Sequence, residues 1–281
     1  MGGIEQLAET VATDLEQRLP GQRKTQRGKL ALLVATMLQV RRANLMDGAA
    51  GLPRPAERLD SRYQWIKRFL ANARVGSDVV MAPYGREVLA RLSAQGRTVV
   101  LLIDQTKVSE RHQVVMVAVR LGGRALPLAW RVKETQGAIG FAEQRTALEA
   151  AARLLPAGTT PVLMGDRFYG SPDLIAWCRG QGWDWRLRLK QDLLVFEDGG
   201  ETTLAECFRR GEHWLRDIEL TEQRVRTNVA MVHEAGHAEP WIIALSQAPS
   251  VHTASHGHFG VKFMIRASWV PPHMGISASS S

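Results

Sequence analysis

Two aspartates at the ends of apolar runs are the residues in this chain best suited to chemistry. Asp104 closes "TVVLLID", and Asp166 follows "TPVLMG" 62 residues later, ahead of "RFYGSPDLIAWC". A single aspartate after a buried strand is an ordinary turn former or helix cap. Two of them at the ends of strands that lie side by side converge on one point. Hard carboxylate oxygens in that arrangement are the ligands Mg²⁺ prefers, and paired ions of this kind clamp the attacking and leaving oxygens of an in-line phosphoryl transfer.

The elements that must position this pair are legible from periodicity. Continuous apolar runs at 98–104 and 161–165 read as central strands. "RHQVVMVAVRLGGRALPLAWRV" reads as two strands around a Gly122-Gly123 turn. Residues 140–155 read as a helix that stops at Pro156 and Gly158. Ser171-Pro172-Asp173 opens the next helix, a hydroxyl cap followed by proline at the first helical position. "WDWRLRLK" alternates strictly as a further strand, so Trp183 and Trp185 pack one face of it; stacking on an unpaired base is the alternative role. The order is β, β-hairpin, α, β, α, β, an α/β class in which the first strand lies beside the fourth.

Upstream, "QRKTQRGKLALLVATMLQV" predicts an amphipathic helix over 22–40, with Leu30, Leu33, Val34, Met37 and Leu38 at three- and four-residue steps. Arg41 and Arg42 suit its C-terminal end. "MDGAAGLPRP" breaks the pattern, and "AERLDSRYQWIKRFLANARV" resumes it. The pair reads either as a helix-turn-helix-like DNA-binding unit or as an ordinary helical hairpin. Lys and Arg number 36 against 28 Asp and Glu, a net charge of +8, and residues 1–75 hold 13 basic against 7 acidic side chains. That balance favours polyanionic partners, or else describes a solvated basic surface.

Residues 192–248 read as short strands with turns at Gly199-Gly200, Gly211 and Gly236, a mostly β insertion. After Pro240 no Asp or Glu occurs, and residues 249–281 lack helical or strand periodicity. The boundaries that follow are a basic helical region over 1–92, a core over 93–191, the β-rich insertion over 192–248 and an aberrant tail over 249–281. Cys178 and Cys207 have neither disulfide-framework nor zinc-ribbon spacing and read as packing residues. No apolar run is long enough for a membrane span and the start lacks a signal-peptide layout, which predicts a cytoplasmic protein. Walker and dinucleotide fingerprints are absent, so no nucleotide cofactor is implied.

"LLIDQTKV" and "GDRFYGSPDLIAWC", with basic helices before them and β structure after, resemble the DDE transposases of bacterial insertion sequences, in the group with an RNase H-like core interrupted by β structure. The resemblance spans Gln22 to about Ala248. It implies an RNase H-like mixed sheet with flanking helices, Mg²⁺ or Mn²⁺ as cofactor, and DNA, both element ends and target, as partner. Homo-oligomerisation stays open. It implies that Asp104 and Asp166 hold the first two acid positions, Asp104 bridging both metals and Asp166 taking one. Arg167 then holds a DNA phosphate or makes a surface salt bridge, and Lys24, Arg27, Lys29, Arg41 and Arg42 supply the basic DNA-binding face. The intact reaction would be water attack on a phosphodiester, releasing a 3′-hydroxyl that attacks target DNA.

The family also requires a late helix with Tyr, Arg, Glu and Lys at set spacings. Here the corresponding stretch reads "HFGVKFMIRASWV", with Lys262 and Arg266 its charged residues. The third acid is therefore unassigned; nothing in the spacing of Glu201, Glu206 or Glu219 recommends one of them. The expectation is a frameshift or truncation that replaced the catalytic C-terminus and left this copy impaired; reading the other frames at the genomic locus tests it. A non-catalytic remnant that occupies element ends is the competing reading. "HEAGH" at 233–237 matches the zinc-protease signature, but that motif needs a helix. Gly236, Pro240 and strand-like flanks make a hairpin turn the better account. His252, His256 and His258 read as a chance cluster in the tail.

Overall fold

The computed structural model describes residues 3–54, 57–197, 200–209, 213–232 and 240–247. The chain divides into two compact units, Met1–Glu87 and Val88–Ser281. Helix α5 (Ser77–Ala94) runs through the division. No helix among the described residues is long and apolar enough to cross a membrane.

The first unit is helical: α1 (Gly3–Arg18), α2 (Lys24–Val40), α3 (Leu45–Gly51), α4 (Leu59–Leu70), a 3₁₀ turn over Ala73–Val75, and the start of α5. The α2 helix matches expectation in extent but not in face. Its buried residues are Ala31, Leu33, Ala35 and Thr36, while Leu38 is 57% exposed. Small side chains win this face because α3 approaches closely: a Cβ on Gly51 would lie 2.5 Å from Val40 Cγ2 and 3.3 Å from Thr36 Cγ2. The expected break at "MDGAAGLPRP" is instead α3, begun by Asn44, whose side chain accepts from Met46 N and Asp47 N at 2.8 and 3.4 Å. Leu33, Ala49, Leu52, Ile66 and Phe69 form the core between α2, α3 and α4. Two helices escaped the periodicity reading, α1 and α5; α5 carries Pro83 in its interior, which argues against a helix on sequence alone.

The second unit is a mixed α/β fold built on a ten-stranded sheet. Its strands are β1 (Val100–Ser109), β2 (His112–Leu121), β3 (Arg124–Glu134), β4 (Val162–Gly165), β5 (Asp184–Arg188), β6 (Leu194–Glu197), β7 (Gly200–Thr203), β8 (Trp214–Leu220), β9 (Val225–Val232) and β10 (Trp241–Leu245). Helices α6 (Phe141–Ala152) and α7 (Pro172–Gly180) connect β3 to β4 and β4 to β5, and α8 (Leu204–Arg209) follows β7. The order across the sheet is β3-β2-β1-β4-β5-β10-β9-β8-β6-β7. β1, β4 and β5 run parallel; the other neighbouring pairs are antiparallel. The first strand therefore lies beside the fourth.

Local chemistry accounts for the turns. Leu121 pairs with Arg124 across Gly122-Gly123, and Gly122 takes φ of 59°, which a side chain would resist. Ser171 caps α7, its hydroxyl accepting from Leu174 N at 3.3 Å, with Pro172 at the first helical position. All four β4 residues are buried, as a strand under crossover helices requires. Strands β6–β10, in the stretch read as an insertion, extend the same sheet: β10, with all five residues buried, satisfies the open edge of β5. Leu204–Arg209, expected within a strand-rich stretch, is helix α8.

Candidate functional site

Asp104 was expected at a strand tip, and the structure corrects this. β1 continues to Ser109, pairing with β2 through Asp104↔Met116 and beyond. What ends at this level is the other neighbour: β1 pairs with β4 only as far as Ile103↔Gly165. Asp104 thus lies on a strand edge that β4 has just vacated, and Asp166 is the first residue past the end of β4. Neighbouring strands lie ~4.8 Å apart, so this register brings the two backbones within about one strand spacing.

Each carboxylate is half committed. Asp104 Oδ1 accepts from Gln105 N at 2.8 Å, and Asp166 Oδ1 accepts from Phe168 N at 2.9 Å. Among the described residues, neither Oδ2 takes a hydrogen bond. Desolvation raises the Asp104 pKa above the ordinary carboxylate range; the Gln105 N–H acts against it, and the negative charge of Asp166 adds to it. The two acids therefore feel one another. Such a pair, short of cationic partners and with two open oxygens, has the donor chemistry of a divalent-metal site.

The surroundings hold the pair stiffly. Gln105 donates to Gly137 O at 3.2 Å and accepts from Ile139 N at 2.7 Å, tying β1 to the approach to α6. On the other side, Tyr169 N donates to Asp166 O at 2.9 Å and Ser171 N to Tyr169 O at 2.7 Å. The Tyr169 ring is 1% exposed and fills the space beside Gly165, where a Cβ would meet Tyr169 Cβ at 2.8 Å, Ile103 Cγ2 at 3.0 Å and Leu187 Cδ2 at 3.1 Å. Its hydroxyl is buried without a hydrogen-bond partner, and burial first, then the charges of Asp104 and Asp166, push its pKa upward. Arg167 is exposed and Phe168 is 64% exposed, so both project from this anchored turn.

Two predictions arise here. A Cβ on Gly170 would fall on the Arg188 carbonyl and lie 2.9 Å from Leu189 Cδ2. Gly170→Ala is expected to cost ~1–3 kcal/mol, read as a lower urea midpoint, with Gly180→Ala, whose Cβ meets nothing within 4 Å, as the mild control. The second concerns pH. Because folding raises the Asp104 pKa, the folded state is penalised once both states are ionised, and the penalty vanishes below the unfolded pKa of ~3.9. Asp104→Asn is therefore expected to melt higher than the parent at pH 7 to 8 in EDTA, with the difference gone near pH 3. An unchanged or lower melting temperature at pH 7 contradicts the penalty that burial first, and the Asp166 charge after it, place on the Asp104 carboxylate.

The acids considered as a third ligand lie elsewhere. Glu219 is on β8, four strands from β4, or ~19 Å along the sheet, and pairs with Arg224 and Arg226. Glu201 and Glu206, on β7 and α8, belong to the same distal end. Among the described residues no group of three or more His, Cys, Asp or Glu is placed to hold a metal. "HEAGH" at 233–237 and His252, His256 and His258 lie outside the described residues. The strands that flank the motif, β9 and β10, pair antiparallel with Trp241↔Val232. Trp183 and Trp185 are 6% and 5% exposed, and Trp185 Nε1 donates to Thr227 Oγ1 at 3.1 Å, so both indoles serve packing. Cys178 and Cys207 are buried and form no disulfide, and burial pushes Cys178 up to about 12.

The basic residues of the helical unit divide by role. Lys24, Lys29, Arg41 and Arg42 are exposed, with Arg42 facing Asp47 at 3.4 Å. Arg27 is turned inward: it donates to the carbonyls of Leu19, Pro20 and Gln22 and pairs with Glu16, closing the α1–α2 turn. Lys29 shares a cleft of about 340 Å³ with Arg68, Gln26, Asn72 and the Trp65–Phe69 stack. Arg68 was missed as a candidate because only the fold shows which residues of α4 face α2.

No family model matches the sequence, and no curated protein does. Among solved structures, the chain is similar to endonuclease V of Ciona intestinalis in complex with a 23-mer DNA containing an inosine followed by a ribo-adenosine, at 12% identity and a TM-score of 0.33, over 63% of this chain and 85% of that one. A second complex of the same endonuclease, with a 24-mer, gives 14% identity and a TM-score of 0.32 over 70% and 87%. Likeness at this level carries no argument about activity, which rests on the site itself.

Proposed function

We propose that this protein is a DNA transposase of an insertion sequence, of the DDE kind with an RNase H-like core. Asp104 and Asp166 are the two acids that hold Mg²⁺ or Mn²⁺. The observation that carries the reading is the register Ile103↔Gly165, which sets the two aspartates side by side at the end of the parallel pairing, each with one oxygen open. The strand order β3-β2-β1-β4-β5, with β1, β4 and β5 parallel, supports the RNase H-like reading.

A divalent ion held there supplies Lewis-acid charge to a phosphodiester oxygen. The protein's part is positioning. Backbone N–H groups of Gln105 and Phe168 orient the carboxylates, and the Gln105 bridge and the buried Tyr169 keep both strand ends from shifting. Arg167, exposed beside Asp166, would meet a DNA phosphate, and the exposed Lys24 and Lys29 would supply separate backbone contacts from the helical unit. A third carboxylate is not assigned: residues 241–281 contain no Asp or Glu, and the glutamates of β7, α8 and β8 lie several strands away.

The test is a nicking assay with Mg²⁺ or Mn²⁺ on DNA carrying the flanking element ends. Weak nicking that Asp104→Asn abolishes supports the enzyme. Salt-dependent binding without any nicking favours a remnant that occupies the ends. Neither binding nor nicking refutes both.

A further inference from the structure

The turn that carries Asp166 contains a buried polar atom with nothing to bond. Tyr169 lies three residues on, its backbone N–H donating to Asp166 O at 2.9 Å and its carbonyl accepting from Ser171 N at 2.7 Å, so the backbone holds it on both sides. Its ring is 1% exposed and packs beside Gly165, the last residue of β4, where a Cβ would meet Tyr169 Cβ at 2.8 Å. The Tyr169 hydroxyl nonetheless has no hydrogen-bond partner among the described residues. A hydroxyl desolvated in this way destabilises the fold, and phenylalanine would fill the same space without that cost. Burial first, and then the negative charges of Asp104 and Asp166, disfavour the phenolate, so the group keeps its proton and serves as a donor. Acceptors without donors stand at the same end of the sheet. Asp104 Oδ1 and Asp166 Oδ1 each take a backbone N–H, whereas the second oxygen of each carboxylate takes none among the described residues.

We propose that Tyr169 is a positioning residue of the acid pair, whose hydroxyl stays unpartnered until a divalent ion is held there and then donates to an oxygen that coordinates it. This rests on the reading of Asp104 and Asp166 as a metal site. Carboxylates that ligate a metal are oriented by a surrounding layer of hydrogen-bond donors, and loss of one such donor weakens binding by about 10–100-fold. Gln105 N and Phe168 N supply one donor to each aspartate, and the buried hydroxyl is the third. Two carboxylates without a cation repel one another, a repulsion that contributes to the raised Asp104 pKa, and an ion between them reverses that force. The acceptor therefore reaches the hydroxyl only when the pair is occupied. The cost of the unpaired hydroxyl falls on the ion-free chain alone, and its relief adds to metal affinity. Tyrosine in place of phenylalanine at this position thus lowers the stability of the ion-free protein and strengthens its hold on the ion.

The experiment compares the full-length parent, Tyr169→Phe and Asp104→Asn by Mn²⁺ titration, with unbound Mn²⁺ counted by its electron paramagnetic resonance signal, and by circular dichroism melts in EDTA. Tyr169→Phe is expected to bind Mn²⁺ roughly tenfold more weakly and yet to melt higher than the parent in EDTA, two shifts that a hydroxyl with only a packing role would not produce together. Unchanged or tighter Mn²⁺ binding by Tyr169→Phe overturns the proposal and leaves the hydroxyl to a buried water. A variant that melts lower in EDTA shows that the hydroxyl already has a partner, and overturns it too. Should the variant not fold, NMR of the parent labelled with ¹³C at tyrosine Cζ decides: of its three tyrosine signals, one is expected to shift when Mg²⁺ is added, and three unmoved signals overturn the proposal. Failure of the acid-pair reading shows separately, as Mn²⁺ that binds Asp104→Asn as well as the parent, or binds neither. Failure of this proposal alone leaves Asp104→Asn impaired and Tyr169→Phe not.

Discussion

Supplying a third carboxylate is expected to raise Mg²⁺-dependent nicking by about 10²–10³-fold, the scale on which single groups that stabilise a transition state act. Two aspartates, each with one oxygen already accepting a backbone N–H, offer few ligands and incomplete charge balance for the ions that clamp a phosphoryl transfer. The sheet does not make up the deficit, because the glutamates of its distal half lie several strands from β4. Joining residues 1–247 to the acid-bearing C-terminal helix of a DDE transposase, and timing the conversion of supercoiled to nicked plasmid, measures the gain. It should disappear again with either Asp104→Asn or Asp166→Asn in the fused chain. A fused chain no faster than the parent would mean that the two aspartates do not belong to a three-acid site.

The second large effect is one of stability. Leu163 sits at 0% exposure in the middle of β4, between β1 and β5, and pairs with Leu101 and Trp185. Leu163→Ala removes a side chain from a site with little room to collapse and is expected to cost ~2–5 kcal/mol, seen as a fall in the urea midpoint at unchanged slope. Because β4 delivers Asp166, the same variant is expected to lose much of whatever thermal stabilisation Mn²⁺ is found to give the parent. A loss under 1 kcal/mol would show that β4 is not the packed centre of the sheet.

What the sequence reveals and conceals follows from the range of the forces involved. The Gly122-Gly123 hairpin, the Ser171-Pro172 cap and the buried runs ending near Asp104 and Asp166 are local, and each is realised. The buried face of α2 is not local: Leu38 fits the helical period, yet Ala35 and Thr36 take the interior because Gly51 brings α3 too close for larger side chains. The length of β1 past Asp104 is set by β2, a partner the apolar run does not announce. Tyr169 went unnoticed for the same reason. In "GDRFYG" it is one of two adjacent aromatics, and only the folded turn shows that it is 1% exposed while Phe168 is 64% exposed. Arg27 shows the converse, a basic residue of a basic helix whose guanidinium serves the backbone of the preceding turn.

The most direct test of the central claim is a crystal structure of the protein soaked in Mn²⁺, with the metal located by its anomalous signal. The account predicts a peak between the two carboxylates, ~2.0–2.2 Å from an oxygen of Asp104 and an oxygen of Asp166. A peak that engages neither aspartate, or carboxylate oxygens more than about 10 Å apart, too wide for ions held ~4 Å from one another, would contradict it.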